Sequence, residues 1–291
     1  MLRILLIFFF FFFPTQNHTS SISHTKTKPT GPPDSVFLDI IPKRKVNALG
    51  GHAFLQSLVC LKEKEREKKI LTELKNGNVP AHLRTLMPIN VPIGQKDENI
   101  LIYVMPDYLS IGSKTDFVRI PLNFYTATEI ATTWDLYLPT TKIVDHIYEQ
   151  ADCKLKPITL PPSSKMTTIE YFAKHESLIA SAEPKGRIKE KIVAGHKKDI
   201  ILSNKLLKKK NRIAIYGWHR NKDQVIQPSS TVHRAGYADY SHGLRLILGK
   251  AWANGKWVSL SSILANEKLS RSFSNEGVMD PKKILPHCQV L

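Results

Sequence analysis

His196, His219, His233 and His242 fall within 47 residues of a 291-residue chain that carries 11 histidines. A glycine or an aromatic residue lies close to each, in "AGHKKD", "IYGWH", "HRAGY" and "DYSHG". Neutral imidazoles beside one carboxylate are the usual ligand set of catalytic zinc, which keeps one position open for water. The same side chains, titrating near neutral pH, can carry protons in hydrolysis without a metal. Asp239, three residues before His242, supplies a carboxylate. The spacing predicts that His196, His219, His233, Asp239 and His242 converge, wholly or in part, on one polar site.

Three chemistries fit that expectation. The first is zinc-dependent hydrolysis, with His196, His233, Asp239 and His242 as ligands. "HRAGYAD" slightly resembles the S-x-H-x-x-G-x-A-x-D block of zinc D-alanyl-D-alanine peptidases, but His233 to Asp239 is one residue short and Ser230 one too early. On a strand that slip turns the carboxylate to the other face. The second is acid/base or nucleophilic hydrolysis by His219, His233 and His242, with Asp239 orienting a histidine that activates Ser241, Ser230 or Tyr237. Ser241 and His242 are adjacent and cannot activate each other along an extended strand, and no G-x-S-x-G elbow exists. The third is a glycan- or peptide-binding module in which Trp218, Tyr237 and Tyr240 stack on the ligand and Lys197, Lys198 and Arg245 hold anions.

His52, His82, His146, His175 and His287 are expected to be structural. Asp107 and Asp116 are expected to cap turns in "PDYLSIGSKTD". "KLLKKKNR" at 205 to 212 reads as a solvated loop that could hold phosphates, although no nucleic-acid-binding signature accompanies it.

The elements that must position these residues are readable in part. Phe54, Leu55, Leu58, Ile70, Leu71 and Leu74 predict a helix over 51–76, ended by Gly77 at a positive-φ cap. "ILIYVMPDYLSIGSKTDFVRIPL" predicts two or three strands. Thr126 and Glu129 form a T-x-x-E capping box before a helix, Leu138-Pro139-Thr140 breaks it, and "TKIVDHIYEQA" starts the next. Another helix is expected between Thr168 and Ala182. Strand-like runs follow, and Asn254-Gly255 is a hairpin signal. The expected class is α+β: a helical N-terminal half with a small sheet, then a β-rich C-terminal half from about residue 185.

Lys and Arg number 42 against 25 Asp and Glu, a net charge of +17, and the pI is near 9.7. Such a balance favours an anionic partner (nucleic acid, anionic lipid or an acidic glycan or peptide polymer) and is equally the composition of many Lys-rich proteins with none. Nucleic acid is not otherwise indicated. Arg3 precedes the apolar run Ile4–Phe13, whose ten helical residues would reach only ~15 Å, half the ~30 Å hydrocarbon core. This predicts a signal peptide over 1–23 and a disordered tether over 24–34, with the mature chain secreted or periplasmic. The segment lacks a small-x-small cleavage site, so an uncleaved membrane anchor is the alternative. Residues 35–291 are then one domain. Cys60, Cys153 and Cys288 are too few and too scattered for a disulfide scaffold or a CxxC metal knuckle, and none sits where a nucleophile would.

"GNVPAHLR", "PDYLSIGSKTDFVRIPL", "LPTTKIVDHIY", "AGHKKDIIL", "IYGWH" and "YADYSHGLRL" resemble the recurring blocks of an uncharacterised family of predicted exported, mostly bacterial proteins. The resemblance spans roughly residues 47–280. It implies one co-evolved unit and brings no established activity. From the residues, the leading expectation is an exported hydrolase of an extracytoplasmic polymer such as peptidoglycan. Zinc is the one candidate cofactor, and the runner-up is a non-catalytic cell-envelope binding protein.

Overall fold

The computed structural model describes residues 31–94 and 98–285. The expected signal peptide, most of the tether, His287 and Cys288 lie outside the described residues. All of the strands and helices belong to one unit, Gly31–Leu291.

One sheet draws strands from both ends of the chain. It contains β1 (Val36–Phe37), β2 (Thr85–Ile93) and β3 (Glu98–Val104) from the N-terminal half, with β6 (Leu136–Tyr137), β13 (Ile247–Ala253) and β14 (Lys256–Ser259). The order is β1-β2-β3-β13-β14, with β6 also pairing β13, and every pair is antiparallel. Strands are therefore not segregated into a C-terminal half, although the α+β class holds. β2 carries Pro88 and Pro92, which cannot donate to a ladder. They are tolerated because β1 covers only the Thr85 and Leu86 end of that edge. Asn254 (φ 49°) and Gly255 (φ 73°) turn β13 into β14; both dihedrals are positive, as a two-residue type I′ turn requires.

The second sheet positions the histidines. Its order is β11 (Gln224–Ser230), β10 (Ile215–Asn221), β9 (Lys198–Ile200), β12 (His242–Gly243). β12 runs parallel to β9 and sets His242 opposite Lys198; Gly217 of β10 faces Lys198 from the other side. Two small pairs complete the strands: β4 (Ser110–Gly112) with β5 (Phe117–Arg119), and β7 (Cys153–Lys154) with β8 (Val193–Ala194).

The helices start where local chemistry satisfies their free N–H groups. Thr140 caps α4 (Thr141–Gln150) and Thr168 caps α5 (Ile169–Ala182), each hydroxyl accepting from the backbone three residues on. The expected 51–76 helix is instead α1 (Gly51–Gln56) and α2 (Glu63–Lys75). Glu65 accepts from the Lys62 N–H at 3.2 Å, which starts α2 inside the charge run. Gly77 does cap its end, at φ 75°. For α3 (Phe124–Thr133) the cap is Asn123, whose Oδ1 accepts from Thr126 N at 2.9 Å. The helix thus begins before the expected Thr126–Glu129 box. Cys60 and Cys153 are free thiols.

Candidate functional site

Residues 233–242 fold on themselves into a compact polar cluster. The His233 ring stacks on Tyr237 at 4.2 Å and 11°. Tyr237 meets His242 edge-on at 5.7 Å, and the two imidazoles are 6.4 Å apart. Tyr237 Oη donates to Asp239 Oδ2 at 3.1 Å. Ser241 donates to Asp239 Oδ1 from its hydroxyl (2.5 Å) and its backbone N–H (2.8 Å). His242 Nε2 lies 4.0 Å from Asp239 Oδ2.

Burial divides the labour within this cluster. Asp239, Ser241 and His242 are fully inside, whereas His233 and Tyr237 are half-buried. The latter two line a cleft of about 870 Å³ with Glu63, Lys210, Arg212 and Arg234. Burial raises the Asp239 carboxyl, but His242, Lys198 and the Ser241 hydrogen bonds outweigh it, so the group titrates at about 2. Burial pushes His242 down to about 4, against the pull of Asp239. His233 is lowered too, chiefly by burial. At neutral pH the site thus holds one carboxylate and two neutral imidazoles.

The other two histidines of the expected set take different carboxylates. His219 Nε2 is 3.0 Å from Asp145 Oδ1, which also accepts from Tyr216 Oη at 2.8 Å. Its ring stacks on Tyr148 at 4.4 Å. The pairing of β10 with β11 is irregular on both sides of this stretch, and Gly217 and Trp218, just before His219, both have positive φ, 104° and 60°. A left-handed tryptophan is strained; here its indole Nε1 donates to His196 O at 3.2 Å, and Lys198 Nζ lies 5.0 Å from its ring centre.

His196 lies 3.3 Å from Asp107 Oδ1, at an approach that makes no hydrogen bond, and burial lowers it to about 4. Asp107 does more than cap a turn. It receives Arg119 in a two-pronged contact (Nε–Oδ1 3.0 Å, Nη2–Oδ2 2.8 Å) and Arg187 at 3.2 Å. Arg119 also donates to Glu176 at 2.6 Å and to Glu183. Burial alone would raise the Asp107 carboxyl, but the Arg119 guanidinium holds it well below the usual range.

The binding roles expected from sequence shift as well. Lys197 is buried and donates to Tyr240 O at 2.8 Å. Arg245 is buried and donates to Met105 O (2.7 Å) and Val193 O (2.6 Å). Both cations stitch the backbone together and face no substrate. Trp218 and Tyr240 are also interior, with Tyr240 Oη bonded to the Leu160 backbone, so neither offers a stacking face. Lys198 is nearly buried. Tyr237 alone of the expected aromatics borders the cleft. The cations that do border it are Lys210, Arg212 and Arg234, two of them from the charge run read as a solvated loop.

Of the histidines outside the set, His52 contacts Asp116 at 2.6 Å, His146 Ser272 O at 3.2 Å and His175 Ile158 O at 3.0 Å, while His82 packs edge-on against Phe117 with both ring nitrogens buried and unpartnered. Among the described residues no group of three or more His, Cys, Asp or Glu is placed to hold a metal ion. Both ring nitrogens of His242 are nonetheless buried without a hydrogen-bond partner. With His233 and Asp239 beside it, the donor types suit zinc. No protein-family model, no curated protein and no solved structure matches the chain.

Proposed function

We propose that this chain is an exported hydrolase acting on an extracytoplasmic polymer such as peptidoglycan, with His233 as the proton carrier. One observation carries the reading: His233 is half-buried in a cleft wall, fixed face-to-face on Tyr237, and its ring nitrogens have no partner among the described residues. Its pKa is lowered by burial, so its lone pair is free at neutral pH. A ring nitrogen of His233 takes a proton from water as the water oxygen bonds to the electrophilic carbon. The imidazolium then returns that proton to the leaving nitrogen or oxygen as its bond to carbon breaks. Asp239, ionised behind Tyr237, stabilises the transient cation. His242 and Ser241 are positioning residues, and Ser241 Oγ is committed to Asp239.

The unpartnered nitrogens of His242 support a second form of the same reaction, in which His233, Asp239 and His242, not placed as a metal-holding group in this structure, would have to draw together around zinc. Bound there, zinc would lower the pKa of its water. Elemental analysis of the purified chain separates the forms: about one equivalent of zinc supports the second, and metal-free turnover the first. The basic cleft lining supports the runner-up, a non-catalytic envelope-binding protein. Release of soluble fragments from peptidoglycan, abolished by His233→Asn, supports the hydrolase; retention on the polymer without any release supports the binder.

A further inference from the structure

Arg212 and Arg234 are partners in an isolated antiparallel bridge. The flanking bonds run from Ile213 N to His233 O (3.2 Å) and from Ala235 N to Asn211 O (2.9 Å). This pattern makes the arginines a non-hydrogen-bonded pair, the kind with Cα atoms about 4.5 Å apart and side chains closest together. Like charges directly opposite each other are destabilising, and here no carboxylate offsets them: among the described residues Lys210, Arg212 and Arg234 make no ion pair. Arg212 spends one guanidinium nitrogen on Val232 O, at 2.6 Å, and keeps its remaining N–H groups free. Both arginines border the cleft, Lys210 joins them, and among the described residues Glu63 is the one carboxylate in its lining. The bridge also ties the pair to His233, which precedes Arg234 and whose carbonyl holds Ile213.

We propose that Arg212 and Arg234, assisted by Lys210, form an oxyanion-recognition subsite that takes a phosphate or carboxylate group of the polymer bound in the cleft. The identity of that polymer rests on the hydrolase reading; the binding of the anion does not. An oxyanion between two guanidinium forks accepts parallel hydrogen bonds from each, which suits Arg better than Lys. It also removes the repulsion that the bridge imposes. A ligand anchored this way carries its charged group beside His233, so the bond it presents for attack lies next to an anionic substituent.

Thermal unfolding of the full chain in low-salt buffer tests this, with sodium phosphate or sodium succinate added against sodium chloride at matched ionic strength. A ligand that binds only the folded state raises the melting temperature in proportion to its occupancy. The expected result is a rise with phosphate or succinate that chloride does not reproduce. The larger response names the group as phosphoryl or carboxylate. In Arg212→Gln/Arg234→Gln the apparent affinity should fall at least tenfold, and the anion-free protein should melt no lower than the unmodified chain. Lys210→Gln, at an exposed position, should lose part of the response without any folding risk. His233→Asn should keep the response, so a failed hydrolysis assay leaves the subsite standing. Equal responses to phosphate, succinate and chloride, or an undiminished response in the double variant, would overturn the proposal.

Discussion

Replacing His242 with asparagine should make folding less sensitive to mild acid. The imidazole is fully buried, and burial lowers its pKa from an ordinary 6.5 to about 4. The folded protein therefore holds it neutral while the unfolded chain takes up a proton below about pH 6.5. Stability is unaffected by this group above 6.5, falls as the pH drops, and stops falling near pH 4. At pH 5 the penalty is about 1.36 × (6.5 − 5), or ~2 kcal/mol. Asp239 does not offset it in this window. Its pKa is depressed to about 2, so its contribution is present above pH ~4 and is lost only below that. Urea unfolding followed by tryptophan fluorescence at pH 7 and pH 5 gives the two stabilities. The unmodified chain should lose ~2 kcal/mol more than His242→Asn between them. The asparagine itself can lower stability at both pH values, which leaves the difference intact, and His82 and His196 act alike in both proteins. Equal losses would refute the account of His242 as a buried neutral imidazole.

Arg119→Gln should cost about 3–5 kcal/mol, because it leaves Asp107 and Glu176 as buried carboxylates without their shared guanidinium; denaturant unfolding at neutral pH reads this, and a loss under 1 kcal/mol would contradict it. Gly243→Ala should destabilise by about 1–3 kcal/mol, since the added Cβ would lie 2.6 Å from Tyr108 Cδ1 and 2.9 Å from Lys197 Cβ. A neutral outcome in the same assay would show that β12 can shift away from the Tyr108 ring.

What the sequence revealed was what local chemistry decides. The helices that begin after Thr140 and Thr168 were legible as elements, though not their hydroxyl caps, and Asn254-Gly255 turns a hairpin because both tolerate positive φ. The cluster of His233, Tyr237, Asp239 and His242 was legible for the same reason, being contained in ten residues. Long-range choices were not. Asp107 precedes His196 by 89 residues and Asp145 precedes His219 by 74, and no periodicity announces either pairing. β2 was hidden by two prolines whose missing donors matter only on an interior edge. Lys197 and Arg245 look like anion binders in sequence and turn inward because backbone carbonyls await them. Arg212 and Arg234 show the converse: residues in ordinary basic stretches become a pair only when two segments meet.

The most direct test of the central claim is release of soluble fragments from purified peptidoglycan by the full chain and by His233→Asn, whose fold is checked by its unfolding midpoint. An acid/base group of this kind contributes roughly 10²- to 10⁴-fold. Steady release is expected from the unmodified chain, with a loss of at least ~100-fold in the variant. Release that continues undiminished in His233→Asn, from a cleft that is otherwise intact, would contradict the assignment of His233 as the proton carrier.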